Sequence, residues 1–449
     1  MVRRWTLAAL VAVLLVVWGH GSVRAQPALQ SSAVAGPPLA GQNACGAQAY
    51  RLPADLYQRA RAYAAAHVGL YFGGVAYELV LLLVVLELGL APALRNLAER
   101  VTRRRLLQAA IFAPLFFVTL SVLDLPRGIA GQAIERRFGQ SVQSWTGWLW
   151  DWSKALGLGV VLGTAAVWLL YAVLRKYPRR WWLVFWLVAV PVMAALVMLS
   201  PVLFEPVFNR FEPLTQRDPV LAAELEQVAA HAGVHIPASR MYVMEASRKV
   251  TGLNAYVTGL GVSLRVVIWD TTLQKMSRDE IAFVVGHELG HYHLHHTALG
   301  VVFAAAMLLV FLFLGARAFR WTLRRWGVRW GIRSADDWAS LPVLLLWLEV
   351  FSFLGAPVAN GFSRYLEHQA DEFGLQVIAG IVPDRRQVAA RAFQVLGEAD
   401  LADPNPHPFV KFWLYSHPPL EERIRFALGC SEQAAGLSGE NRRAQSAAE

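Results

Sequence analysis

Charge is what this chain has least of. Only 16% of its 449 residues are Asp, Glu, Lys or Arg, against about 25% in an ordinary soluble protein. That shortage argues against a fold bathed in water on every side. Cysteine is nearly absent as well: Cys45 and Cys430 are the only two, so at most one internal disulfide can form. Apolar residues fill the space, at 56% of the chain. They gather into six runs, at 70–90, 106–123, 155–174, 181–203, 298–314 and 341–359. A membrane-crossing helix needs roughly 17–25 residues of this kind. Six such runs cannot all be core helices of one soluble domain, so the expected fold class is mainly α, a multi-pass α-helical membrane protein.

A net charge of +10 would suit nucleic acid, but the basic residues lie between the apolar runs. Arg95, Arg100, Arg103, Arg104 and Arg105 follow the first run; Arg175, Lys176, Arg179 and Arg180 follow the third; Arg317, Arg320, Arg324, Arg325, Arg329 and Arg333 follow the fifth. Helix orientation already explains them. The expected partner is therefore a lipid bilayer and not a nucleic acid. Short basic loops stay in the cytoplasm. The alternation then places 26–68, 205–297 and 360–449 together outside, which in a bacterium means the outer face of the inner (plasma) membrane. Arg3 and Arg4 precede a short apolar stretch, and Ser22-Val23-Arg24-Ala25 follows it. That pattern predicts a signal peptide cleaved after Ala25, with an uncleaved anchor helix as the alternative. Cys45 and Cys430 then share an oxidising compartment, where a Cys45–Cys430 disulfide is expected.

The chemistry begins at Gly286-His287-Glu288-Leu289-Gly290-His291. The surrounding stretch has a helical pattern, with Ser277 as N-cap, Glu280 in capping-box position, and Ile281, Val284, Val285 and Leu289 as apolar positions. Residues four apart share a helix face, so His287 and His291 can hold one zinc ion while Glu288 reaches the water beside it. Zinc lowers the pKa of that water, and the carboxylate takes its proton. By chance the pattern would arise in about one such chain in a hundred, so a third ligand is needed. The metzincin arrangement requires histidine where Thr297 stands, and is excluded. His293, His295 and His296 read as interfacial histidines where the helix enters the membrane.

A better third ligand lies downstream. The segment from Asn360 to Asp371 reads as a helix start on which Glu367 and Asp371, four apart, share a face. Glu with Asp one turn later is the gluzincin arrangement. Glu367 would complete a His2Glu set, one zinc per chain, leaving a position open for water. Asp371 would hold a ligand histidine by its other nitrogen. Asn254, Ala255 and Tyr256 open a predicted strand whose partner is 265–269, and an edge strand there could bind substrate backbone by β-augmentation.

These segments together resemble the integral-membrane zinc metalloproteases of the type I CAAX prenyl protease family, relatives of the HtpX-like membrane proteases. The similarity spans roughly 52–428 and rests on six segments. They are Leu56-Tyr57-Gln58-Arg59-Ala60-Arg61-Ala62-Tyr63; 206–214; Asn254-Ala255-Tyr256; the His287–His291 motif; Ser363-Arg364-Tyr365-Leu366-Glu367-His368-Gln369-Ala370-Asp371; and Ser416-His417-Pro418-Pro419-Leu420-Glu421-Glu422-Arg423-Ile424. The prenyl protease subgroup is the nearer one, because four apolar runs precede the catalytic half. The resemblance implies an α-helical membrane chamber closed around a gluzincin-like zinc protease domain with a small β-hairpin or sheet. It also implies that His417 and Arg423 stabilise the oxyanion. Read on their own residues, His417 could equally be a helix-entry residue and Arg423 a salt-bridge partner.

The expected organisation is a signal peptide at 1–25, a leader at 26–68, four membrane helices at 69–204 and a first catalytic half at 205–296. Two further membrane helices with a basic loop occupy 297–360, a second catalytic half 361–430, and a polar tail, expected to be disordered, 431–449. The expected function is zinc-dependent endopeptidase action on membrane-associated or unfolded polypeptides. A non-enzymatic chaperone or scaffold is the first alternative, although Glu288 and all three ligands are present. A transporter is the second, suggested by Glu78, Glu87 and Glu349 within apolar runs. No internal repeat supports it.

Overall fold

A computed structural model describes residues 49–430, leaving out Leu260 and the side chain of Val262. The signal segment, Cys45 and the polar tail lie outside the described residues. Among the described residues, six helices are long and apolar enough to cross a membrane. In chain order the helices used below are α1 (Ala54–Glu87), α2 (Leu90–Val101), α3 (Arg105–Arg137), α4 (Trp145–Lys176), α5 (Trp181–Leu203), α6 (Pro219–His231), α7 (Arg278–His293), α8 (His296–Trp326), α9 (Leu341–Val377), α10 (Arg385–Ala399), α11 (Pro408–Leu414) and α12 (Leu420–Ala427).

Two helices run further than their apolar runs. α1 begins at Ala54, inside the stretch expected to be leader, because residues 54–68 contain only helix-tolerant residues and no Gly or Pro. α9 is one 37-residue helix that joins the sixth apolar run to the segment carrying Glu367. The expected helix start near Asn360 is therefore an interior position. Pro357 lies within α9 without ending it, as membrane helices allow.

The membrane bundle has a polar end and a catalytic end. At the polar end the three basic segments meet. Arg95 pairs with Asp337, Arg333 with Glu99 at 2.8 Å and Arg329 with Glu87 at 2.8 Å, while the Arg175 guanidinium lies 4.9 Å over the Trp338 ring. Buried Phe112, Phe116, Tyr171 and Trp338 form the core beneath them. Within the bundle, Glu78 pairs with Arg127 at 2.8 Å. Glu78 and Glu87, two of the three carboxylates that suggest a transporter, thus have structural partners.

At the other end the α3–α4 connection joins the catalytic region, where the Val142 amide donates to the Lys249 carbonyl and Lys249 pairs with Asp151. A four-stranded sheet lies there in the order β1-β2-β4-β3, with β1 Phe211–Pro213, β2 Met241–Met244, β3 Ala255–Thr258 and β4 Arg265–Trp269. β2 and β4 are parallel; the other two pairings are antiparallel. The expected hairpin is present, with Tyr256 opposite Val267, and β3 is an edge strand. Asn254 sits just before β3, its carbonyl accepting from the Trp269 amide. One hydrophobic core binds this region together, built from Leu225, Val266, Ile268, Phe283, Val285, Leu289 and Phe393, and it includes Tyr50 from the chain before α1.

Candidate active site

α7 starts where its sequence says it should. The Ser277 side chain accepts from the Glu280 amide and Glu280 accepts from the Ser277 amide, closing a capping box. Ile281, Val285 and Leu289 bury one face and Phe283 another, and the Phe283 ring meets Phe393 of α10 edge-on at 5.2 Å. That burial fixes the roll of α7 and with it the direction of His287 and His291.

The two imidazoles face a common point, with His287 Nε2 and His291 Nε2 3.1 Å apart. Glu367 of α9 completes the group: its Oε2 lies 3.2 Å from His287 Nε2 and its Oε1 3.8 Å from His291 Nε2. Glu367 is almost wholly buried, at 1% exposed. Glu288 sits one position along α7 and stays partly open to solvent, its Oε1 3.9 Å from His287 Nε2. His287, Glu288 and His291 each offer an atom within 4.8 Å of the others. Two imidazole nitrogens and two carboxylates that converge in this way can hold a cation. The electrostatics agree. Burial alone would lower the His287 imidazole, yet Asp371 and Glu367 outweigh it and raise it to about 9, so these two carboxylates favour positive charge at His287, whereas burial pushes His417 down to about 3. Two nitrogens and one oxygen also match the donor set of catalytic zinc.

The helices can approach this closely because of glycine. A Cβ at Gly374 of α9 would stand 3.0 Å from the His287 backbone nitrogen, and one at Gly290 would stand 3.1 Å from Phe373. These positions leave room for α9 to lie against α7.

Asp371, one turn beyond Glu367, pairs with His287, its Oδ1 2.8 Å from His287 Nδ1. Arg423 of α12 in turn forks onto Asp371, its Nε donating at 2.8 Å, and stacks over the Phe393 ring at 4.2 Å. Its Nη2 is 4.0 Å from Glu367. Arg423 thus gives its main pairing to Asp371, while His417, the other residue the resemblance offers for the oxyanion, comes nearer to Glu367. His417 Nε2 lies 3.2 Å from Glu367 Oε1, with the Ser416 hydroxyl 3.0 Å from its Nδ1. The loop bearing it is pinned from α9: Asn360 donates to the Trp413 carbonyl, and Arg364 to those of Lys411 and Tyr415. β3, with Ala255 and Tyr256, packs beside α7, and the Tyr256 hydroxyl donates to Glu205 at 3.0 Å. Burial, reinforced by Glu205, pushes the Tyr256 phenol above its ordinary value.

Sequence reasoning missed three things here. Asn360 and Arg364 gave only the hint that they sit two turns and one turn before Glu367. Gly374 had no signal. His296, read as an interfacial histidine, is buried at 3% exposed and reaches His291; this corrects that reading.

Comparison with known proteins bears on the whole assembly. Residues 47–210 match the CAAX prenyl protease N-terminal domain, described by its five membrane helices, and residues 215–430 match peptidase family M48. An uncharacterized metalloprotease of Bacillus subtilis, YhfN, is 31% identical over 358 residues, 80% of this chain and 82% of that one. A CAAX prenyl protease 1 homolog of Arabidopsis thaliana is 32% identical over 320 residues, 68% of this chain and 69% of the relative. In fold, the chain is similar to the crystal structure of Ste24p from S. mikatae, with a TM-score of 0.71 and 24% identity, covering 84% of this chain and 89% of that one. The chain belongs to peptidase family M48, among the multi-pass membrane metalloproteases that carry the CAAX prenyl protease N-terminal domain.

Proposed function

We propose that the chain is a zinc-dependent endopeptidase with His287, His291 and Glu367 as the ligands and Glu288 as the general base. The observation that carries this reading is the convergence of His287, His291 and Glu367 from two helices on one point, with the more open Glu288 beside it. When bound, zinc would lower the pKa of water and polarise the scissile carbonyl. Glu288 then accepts the proton of the attacking water and passes it to the leaving amine. His417 is placed to donate to the developing oxyanion. Asp371, held by Arg423, keeps His287 in the tautomer that offers Nε2. The free edge of β3 supports an extended polypeptide laid alongside α7, so the substrate class is polypeptide, membrane-associated or unfolded. The convergence of the three basic segments at one end of the bundle supports a cytoplasmic face there and an extracytoplasmic catalytic end.

The experiment is metal analysis and turnover on purified protein in detergent. Glu288→Gln should keep about one zinc per chain and lose peptide cleavage, while Glu367→Ala should lose the zinc. Full zinc content with wild-type turnover in Glu367→Ala would refute the assignment.

A further inference from the structure

A ligand histidine has two nitrogens, and the one turned away from the metal needs a partner to fix the ring. For His287 that partner is Asp371. For His291 it is another imidazole. His291 Nδ1 lies 2.8 Å from Nδ1 of His296, whose Nε2 lies 3.2 Å from Oε1 of Gln369. Gln369 Nε2 then lies 3.2 Å from the Tyr365 hydroxyl. One set of tautomers satisfies the whole chain. If His291 presents its Nε2 lone pair to the metal, its Nδ1 carries the proton and donates to His296 Nδ1. His296 then carries its proton on Nε2 and donates to the Gln369 carbonyl oxygen, leaving the Gln369 amide to donate to Tyr365. No step runs backwards.

The backbone is bent to make this contact. His296 is the fifth residue after His291, and on an unbroken helix it would point about 140° away. Instead α7 ends at His293, the Leu294 amide closes back on the Gly290 carbonyl, and His295 takes a left-handed conformation at φ 55°. Left-handed backbone is uncommon for a residue with a side chain. α8 then restarts at His296, whose ring comes to 5.0 Å from the His291 ring and is buried. Gln369 stands on α9, two residues past Glu367. The relay therefore ties α7 and α8 to the helix that supplies the third ligand.

We propose that His296 is a positioning residue for the metal site: it accepts from His291 Nδ1, and through Gln369 it locks the His291 ring in the ligating tautomer. This rests on the reading of His291 as a ligand.

The test is zinc affinity by chelator competition on the full-length protein in detergent, with the melting temperature of each metal-free variant as a check on folding. His296→Leu and His296→Gln both remove an acceptor at the Nδ1 position, and each should weaken zinc binding about 10- to 100-fold. His296→Asn places its Oδ1 where Nδ1 stood and should bind zinc within about threefold of wild type, since only the Gln369 link is lost. Equal affinity in wild type, His296→Leu and His296→Gln would overturn the proposal. So would His296→Asn binding as weakly as His296→Gln. His291→Ala separates the two levels: unchanged affinity there would refute the ligand assignment itself, whereas loss there with no loss in His296→Leu or His296→Gln would refute only the role of His296.

Discussion

Asp371 Oδ1 lies 2.8 Å from His287 Nδ1, and the Arg423 guanidinium closes on the same carboxylate from the other side. The pairing holds His287 in one ring orientation, and Arg423 offsets the charge that Asp371 would otherwise bury. Asp371→Asn keeps the shape but loses the charge, and leaves Arg423 buried with a weaker partner. Zinc affinity should fall about 10- to 100-fold, as read by chelator competition; an unchanged affinity would contradict the role given to Asp371.

Gly374 sets the spacing between the helices that carry the proposed ligands. A Cβ there would meet His287 N at 3.0 Å and Cα at 3.1 Å, so Gly374→Val must push α9 from α7 and carry Glu367 away from the two histidines. Zinc binding should be lost in Gly374→Val and reduced about tenfold in Gly374→Ala. Gly73→Ala in α1, where a Cβ meets nothing within 4 Å, serves as the control. Wild-type zinc affinity in Gly374→Val would show that the close approach is dispensable.

The chain before α1 is clamped to the catalytic region by Glu421, which accepts from the amides of Ala49 at 3.1 Å and Tyr50 at 2.7 Å. Burial alone would raise the Glu421 carboxyl, but the Tyr50 and Ala49 amides and Arg425 prevail and hold it below its ordinary value of 4.5. A depressed carboxylate contributes stability above its unfolded pKa and loses it as pH falls through the folded one. Glu421→Gln should therefore lower stability by about 1 kcal/mol near neutrality, and the gap in melting temperature from wild type should close below about pH 4. A gap that stays unchanged as pH is taken from neutrality to well below about pH 4 would mean that the charge is not what holds the clamp.

Orientation is open to a direct test. A reporter active only in the cytoplasm should work when fused within the 317–333 loop and fail when fused at Ser416. Activity from the Ser416 fusion would place the catalytic end in the cytoplasm.

The two cysteines give a further expectation. Cys430 is buried just beyond α12; Cys45 lies outside the described residues. Ala49 is bound to Glu421, which stands in α12 nine residues before Cys430, and the four-residue reach from Cys45 to Ala49 is at most about 14 Å. A Cys45–Cys430 bond would stabilise the fold by at most about 5 kcal/mol in the chain-entropy treatment. Mass spectrometry of protein kept from reductant should find the cross-linked peptide; a free Cys45 thiol would exclude it.

The sequence by itself determined the class of this protein. Apolar runs of bilayer length, the four-residue spacing of His287 and His291, the Ser277–Glu280 cap and the strand at Ala255 are local patterns, and local geometry alone gives them meaning. Glu367 and Asp371 were legible for the same reason, since four residues make one helical turn. Tertiary structure decided which separate pieces meet. The continuity of α9 through Pro357, the role of Gly374 and the commitment of Arg423 to Asp371 depend on contacts between segments distant in the chain. His296 is the clearest case. Periodicity carried unbroken past His293 points it away from the site, and only the left-handed turn at His295 brings its ring back to His291, where Gln369 of α9 meets it.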